Sequence, residues 1–507
     1  MLSFITFLPI VGAIALLFFP KDQLNAIRWT ALGIAIITLI LSIIAVLIYS
    51  QVSLSAQYTG STFYLIQNVP WISSLGINYS LAIDGISALL VLLTTLLTVV
   101  CIGASFGIDR KVKNYMAFML LLEGGLLGVF LATNLFLFYI FWEVMLIPAY
   151  FLVGAWGGER RIYAAFKFVL YTSVGSFLML AAIVALGYFH QQANGGGYTL
   201  DLVTLLNGKL DSGIQVWLLL GFAAAFAVKV PLIPFHSWLP DAYTEAPAPV
   251  TAMLAGAMAK AGAYGFLRFC IPLFPSAVQT LAPLFRILAV IGILYCAWQA
   301  LTQTDLKRIL AYSSISHLGV IILAMFAFNA QGVEGSVLQM VNHGITIAAL
   351  FLLVGFLEQR TGTRRIGDFA GLATRIPVLA TIMLIASLSS LGLPGLNSFA
   401  GEFLALLGTF RNSITFGVLG TIVVVPAAWY MIRFFQDVMD GPRKTEGHVG
   451  VLLRKGTLVD IRVDEFVVLL PLLVLIFLIG LYPTPLTALM EPSVINMMQT
   501  LGHLFIR

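Results

Sequence analysis

Apolar runs long enough to cross a bilayer follow one another from end to end of this chain, with short connections between them. Each reaches about 20 residues, the helical length that spans roughly 30 Å of hydrocarbon. About fourteen are readable, near 2–19, 28–50, 80–106, 114–132, 134–157, 164–189, 215–240, 250–273, 277–301, 308–328, 334–358, 376–410, 414–437 and 465–487. Backbone groups in hydrocarbon find no water, so runs of this length fold as helices. Of 507 residues, 60% are hydrophobic and 10% charged, against about 25% charged in soluble domains. The class is an all-α polytopic membrane protein with a single transmembrane domain over 1–507.

The charges that remain lie mostly in loops. Basic residues gather after odd-numbered spans: Lys21 and Arg28; Arg110, Lys111 and Lys113; Arg160 and Arg161; Lys307 and Arg308; Arg360, Arg364, Arg365 and Arg375; Arg443, Lys444, Arg454 and Lys455. Cytoplasmic loops carry the excess of Lys and Arg, which places both termini on the outer side. The net charge of +5 therefore reports loop asymmetry rather than a nucleic-acid surface. The N-terminus, "MLSFITFLPIVGAIALLFF", has no basic n-region and no small-residue cleavage site, so it reads as a retained first span. Cys101, Cys270 and Cys296 sit singly in apolar segments, which argues against cluster ligation or a disulfide framework.

Two spans are broken. Pro231 and Pro234 interrupt the seventh, and "SLGLPGLNS" interrupts the twelfth, which is too long for one crossing. Irregular backbone at membrane depth survives only beside protein or water. Interrupted spans in corresponding places point to an internal repeat around a transport site. Spans 4–8 and 9–13 are the repeat units that make 7 and 12 correspond. The divisions are 1–110 for helices 1–3, 111–275 and 276–440 for the repeats, and 441–507 for a basic loop and last helix.

Ionisable residues inside spans are costly, roughly 2.5–3.5 kcal/mol each on insertion scales. The chain places Glu123 in span 4, Glu143 in span 5, Lys229 in span 7, Lys260 in span 8, His317 in span 10, His343 in span 11 and Glu402 in span 12. Lysines near a span end snorkel to the interface, but these stand about fourteen and about ten residues into their runs. Glu143 reads as a partner of Lys229. A lysine taken out of water holds its proton less tightly, and a nearby carboxylate restores it, which is the behaviour a proton relay needs. His317 and His343 read either as hydrogen-bonded core side chains or as relay groups. The span-7 prolines are expected to free backbone carbonyls beside Lys229 and admit water there.

"FYIFWEVMLIPAYFLVGAWGG", "AFAVKVPLIPFHSWLPDAYTEAPAPV", "AGAMAKAGAYGFLRF", "QTDLKRILAYSSISHLG", "MVNHGITIAALF" and "LGLPGLNSFAGEF" are long, ordered segments. Together they resemble the antiporter-like subunits of complex I, the proton-pumping NADH:quinone oxidoreductase, from about Leu81 to Tyr482. The resemblance implies fourteen transmembrane helices, with helices 4–8 and 9–13 as inverted repeats and 7 and 12 broken. It assigns Glu143, Lys229, Lys260 and Glu402 to proton translocation, with His317, His343 and Glu123 as further relay candidates. A glutamate in span 12, where related subunits carry lysine, and no long lateral helix after span 14 favour the M type, mitochondrial subunit 4 in its other form.

The chain has no dinucleotide-binding G-x-G-x-x-G after a strand, no cysteine cluster and no flavin motif. The resemblance therefore implies a translocase subunit without cofactors of its own. Flavin, iron–sulfur clusters and the quinone site fall to partner subunits. It also implies other complex I membrane subunits as partners, two related antiporter-like subunits on its flanks, membrane lipid around it and a bacterial plasma membrane. The alternative is a subunit of a multi-subunit sodium/proton antiporter or a membrane hydrogenase with the same fold.

Overall fold

The computed structural model describes residues 1–55, 63–442 and 446–505. Helices form where the apolar runs are. Among the described residues, twelve are long and apolar enough to cross a membrane. Two shorter apolar helices, Leu2–Leu16 and Pro377–Ser390, fall in the first and twelfth runs. Polar residues set several starts. Asp84, Asn134, Asp211, Asp305 and Asn329 each accept backbone N–H bonds at the head of spans 3, 5, 7, 10 and 11, which satisfies donors the helix itself leaves open.

The Asp84 cap moves the start of span 3 to Gly85. The residues just before it form a strand, Ile77–Ile83, paired antiparallel with Tyr64–Ile72. This hairpin adds a small β element to an otherwise helical molecule. A second addition lies at the other end, where the run near 465–487 divides into helices Val463–Leu481 and Thr484–Phe505. Pro483 has no N–H to continue the first helix. The basic connection after span 13 holds a helix, Gly447–Lys455, while Arg443 and Lys444 lie outside the described residues.

Burial sorts the spans into an inside and an outside. The helix Arg161–Asn194 exposes Phe166, Leu170, Val174 and Phe177 on one stripe, the pattern of a lipid-facing helix. Spans 8 (Ala248–Leu273) and 11 (Ala330–Thr361) are instead buried across their whole apolar windows. These central spans carry Lys260 and His343. Glycines let them meet: a Cβ on Gly344 would stand 2.8 Å from the Gly256 carbonyl oxygen, the close approach that small residues allow between membrane helices.

The two expected breaks are present. Span 7 stops at Lys229 and resumes at Trp238–Glu245. Span 12 divides into Pro377–Ser390 and Asn397–Asn412. Further irregularities were not read from the sequence. Span 5 divides at Met145, two residues after Glu143, into Leu135–Val144 and Leu146–Trp156. Pro148 cannot donate to the Val144 carbonyl, which accounts for the division. Span 8 contains π-helical turns at Leu254–Met258 and Phe266–Cys270, on either side of Lys260.

Candidate functional site

Lys260 is fully buried, and its Nζ lies 2.6 Å from His343 Nδ1 and 2.6 Å from the Ala255 carbonyl oxygen. Ala255 belongs to the π turn just before the lysine, and such turns recur at functional sites. The Lys260–His343 contact works in either protonation arrangement. An ammonium donates to a bare Nδ1, and a protonated Nδ1 donates to a neutral amine. One proton hop therefore reverses donor and acceptor without moving either side chain.

The ring of His343 is 5.5 Å, centroid to centroid, from that of His317. His343 Nε2 is buried without a protein partner, the free end of this link. His317 continues the line, with Nδ1 2.7 Å from Glu402 Oε1. Gln339 Nε2 donates to the same oxygen at 3.0 Å. Small residues again set the geometry. A Cβ on Gly401 would meet the Gln339 backbone at 2.9 Å, and one on Gly335 would meet the Ala405 backbone nitrogen at 2.2 Å. Gly392, at φ +79°, lies in the break itself, and a Cβ there would stand 3.0 Å from Glu402 Oε2. Four residues from spans 8, 11, 10 and 12 thus form one polar line: Lys260, His343, His317, Glu402.

Lys229 is placed differently. Its Nζ is buried with no hydrogen-bond partner. It sits over the Trp142 ring at 5.1 Å and the Phe168 ring at 5.5 Å, faces that attract a cation. The direct Glu143–Lys229 pair expected from the sequence does not form. Neither a hydrogen bond nor an ion pair joins the two, and Glu143 Oε1 is itself buried and unpartnered. Lys229 does approach span 8, since a Cβ on Gly262 would stand 3.0 Å from Lys229 Cβ. That glycine is two residues from Lys260.

The expected open carbonyls beside Lys229 are largely occupied. Val230 N–H bonds the Phe226 carbonyl, Leu232 N–H bonds that of Ala227, and Trp238 Nε1–H bonds that of Val228 at 2.9 Å. The break is closed by the chain's own donors, because Trp238 folds back from the second half-helix. Glu123 is fully buried with neither oxygen partnered, and nothing joins it to the polar line.

The sequence reading missed Trp142, Phe168, Gln339 and Tyr430, whose hydroxyl lies 3.5 Å from His317 Nε2. Only the "FWE" adjacency of Trp142 to Glu143 offered a signal. The three cysteines are free and buried, and the described residues contain no group of three or more potential metal-ligating His, Cys, Asp or Glu side chains.

Residues 132–425 match the family model described as NADH:quinone oxidoreductase/Mrp antiporter, TM. NADH-quinone oxidoreductase subunit M of Rhodobacter capsulatus is 38% identical, covering 98% of this chain and 96% of that protein. The subunit M of Escherichia coli K12 is 39% identical over 85% of each chain. A chain of respiratory complex I from Thermus thermophilus with bound NADH superposes with a TM-score of 0.87 at 32% identity, covering 99% of this chain and all of that one. With identities of this size over nearly its whole length, the chain belongs to the antiporter-like membrane subunits of NADH:quinone oxidoreductase, in the subunit M family.

Proposed function

We propose that this chain carries protons across the membrane for an NADH:quinone oxidoreductase whose redox chemistry lies in partner subunits. One observation carries the reading: the buried Lys260, His343 and His317 and the partly buried Glu402 stand in a single line that runs from the span beside one break to the span that contains the other. Burying this many ionisable groups costs several kcal/mol per ion, a cost with no structural return where pairs stay incomplete.

In the proposed mechanism, Glu143 moves relative to Lys229 when the complex turns over. The lysine has no hydrogen bond of its own, so its proton affinity follows the field of that carboxylate. Withdrawal of Glu143 releases the proton toward Lys260 across the close contact at Gly262. Lys260 passes it to His343 Nδ1 as the lysine–histidine bond reverses. His317 then delivers it to Glu402, which releases it on the far side. Glu123, buried in span 4 outside this line, is a further relay candidate.

The repeat assignment belongs to the same reading. Residues 111–275 and 276–440 are two inverted units, flanked by 1–110 and 441–507. The break at the fourth span of each unit supports it. Flavin, iron–sulfur clusters and the quinone site lie in other subunits, and two related antiporter-like subunits flank this one in the lipid bilayer. The basic loops after odd spans and the bacterial relatives support a bacterial plasma membrane with both termini outside.

The test is Glu143→Gln in the assembled complex, with proton uptake into vesicles measured alongside NADH oxidation. Pumping is expected to fall while assembly is kept. Normal pumping would remove Glu143, and with it the proposed drive on Lys229.

A further inference from the structure

Two turns beyond Lys260, the same face of span 8 carries Tyr264 and then Arg268, an i, i+4, i+8 stripe. At 1.5 Å per residue Arg268 lies about 12 Å along the helix from the lysine, toward the end of the bundle opposite the basic loops. Its Nε donates to the Tyr264 hydroxyl at 3.1 Å, and that hydroxyl donates to the Phe130 carbonyl at 2.9 Å. Its Nη2 is 2.6 Å from Asp84 Oδ1, where the two side chains are 10% and 1% exposed. The guanidinium is also held against the Phe63 and Tyr264 rings, at 5.0 and 5.3 Å.

A cavity of about 60 Å³ opens at this level, lined by Arg268, Tyr264, Ser493 and Asn496 among others. That is room for about two waters at ≈30 Å³ each. Arg268 is in its wall and Asp84 is not, so the wall presents the cation while its counter-charge stands behind.

We infer that Arg268 is an electrostatic plug that keeps protons in this cavity from returning to Lys260. A guanidinium stays charged at every working pH, so it cannot relay a proton, and it repels one in a low-dielectric wall. Arginines that line a pore exclude protons from other channels in this way. Asp84 is a positioning residue that fixes the plug against the wall and is not its charge. The inference rests on Lys260 carrying protons, as proposed above.

The test is passive proton leak, measured with a pH dye in vesicles of the purified complex under an imposed potassium diffusion potential and without NADH. Arg268→Gln is expected to leak at least about tenfold faster than the parent, the scale of one buried charge. Arg268→Lys and Asp84→Asn, which keep the cation, are expected to stay tight. Adding Lys260→Met to Arg268→Gln is expected to reseal the vesicles. A tight Arg268→Gln overturns the plug. So does an Asp84→Asn that leaks equally, since that is the signature of a merely structural pair. A leak that persists with Lys260→Met places the path elsewhere and overturns it too. Should Arg268→Gln fail to assemble, Arg268→Gln with Asp84→Asn keeps the site neutral and is read the same way. The assay needs no electron transfer, so it stands apart from the Glu143→Gln pumping test.

Discussion

The two broken spans carry opposite charges in opposite surroundings. At the span-7 break Lys229 has aromatic rings around its ammonium, no hydrogen bond and a carboxylate that does not touch it. At the span-12 break Glu402 has a histidine at 2.7 Å and an amide at 3.0 Å. Both breaks place an ionisable group where a helix is interrupted, so the interruption alone does not define the role. Partnering does. A group without bonds changes charge when its field changes, whereas a group held by two donors keeps its geometry and receives what arrives. In the proposed mechanism the first break responds and the second accepts.

Five substitutions break or sharpen this contrast. The largest effect is expected at the element the two sides share. Lys260→Met removes the link between them and should lower proton pumping by about 10²-fold or more, the scale of a positioned proton-transfer group; dye quenching in vesicles of the complex reads it. Next, Lys229→Met and Glu402→Gln should differ. The lysine variant is expected to match Lys260→Met, while Glu402→Gln keeps polar contacts to His317 and Gln339 and should lose about tenfold, read by the same assay. Equal losses would make the two breaks equivalent. Trp142→Leu withdraws a ring from the Lys229 ammonium, and cation–π attraction at a desolvated site reaches about 2 kcal/mol. Pumping rate should drop by about six- to tenfold, less than the roughly thirtyfold of the full attraction because the Phe168 ring remains, with the complex still intact on a native gel. The smallest change is expected for Gln339→Leu, which deletes one of two donors to Glu402. A net hydrogen bond of about 1 kcal/mol predicts a loss of roughly fivefold, measured as initial pumping rate.

Much of this was legible because hydrocarbon imposes simple rules. Run length fixed the spans, and the rarity of charge at membrane depth singled out Glu143, Lys229, Lys260 and Glu402. Pro231 and Pro234 marked one break, and the glycines and proline of "SLGLPGLNS" marked the other. Local signals failed where packing decides. The π turns around Lys260, LAGAM and FLRFC, contain no residue type that distinguishes a π turn from an α-helical one. Met145 breaks span 5 inside an unbroken apolar run, because Pro148 acts on a carbonyl four residues back. The hairpin Tyr64–Ile83 lies mostly ahead of the third apolar run, takes in its first residues, and mixes polar with apolar residues.

The site shows the same division. Its residues were named from the sequence, but its contacts were not. Lys260 and His343 are 83 positions apart, and they meet because Gly256 and Gly344 let two buried helices close. Glu143 and Lys229 were expected to touch and do not. Open carbonyls were expected beside Lys229, yet that of Val228 is bonded by Trp238, a contact that requires the second half-helix to fold back.

The most direct measurement is the ratio of protons taken up to NADH oxidised by vesicles of the assembled complex carrying His343→Leu. That substitution removes the ring between Lys260 and His317 while leaving all four proposed proton-translocating charges in place. The account predicts a lower ratio than the parent complex. A ratio equal to that of the parent would mean that protons do not pass along Lys260, His343, His317 and Glu402.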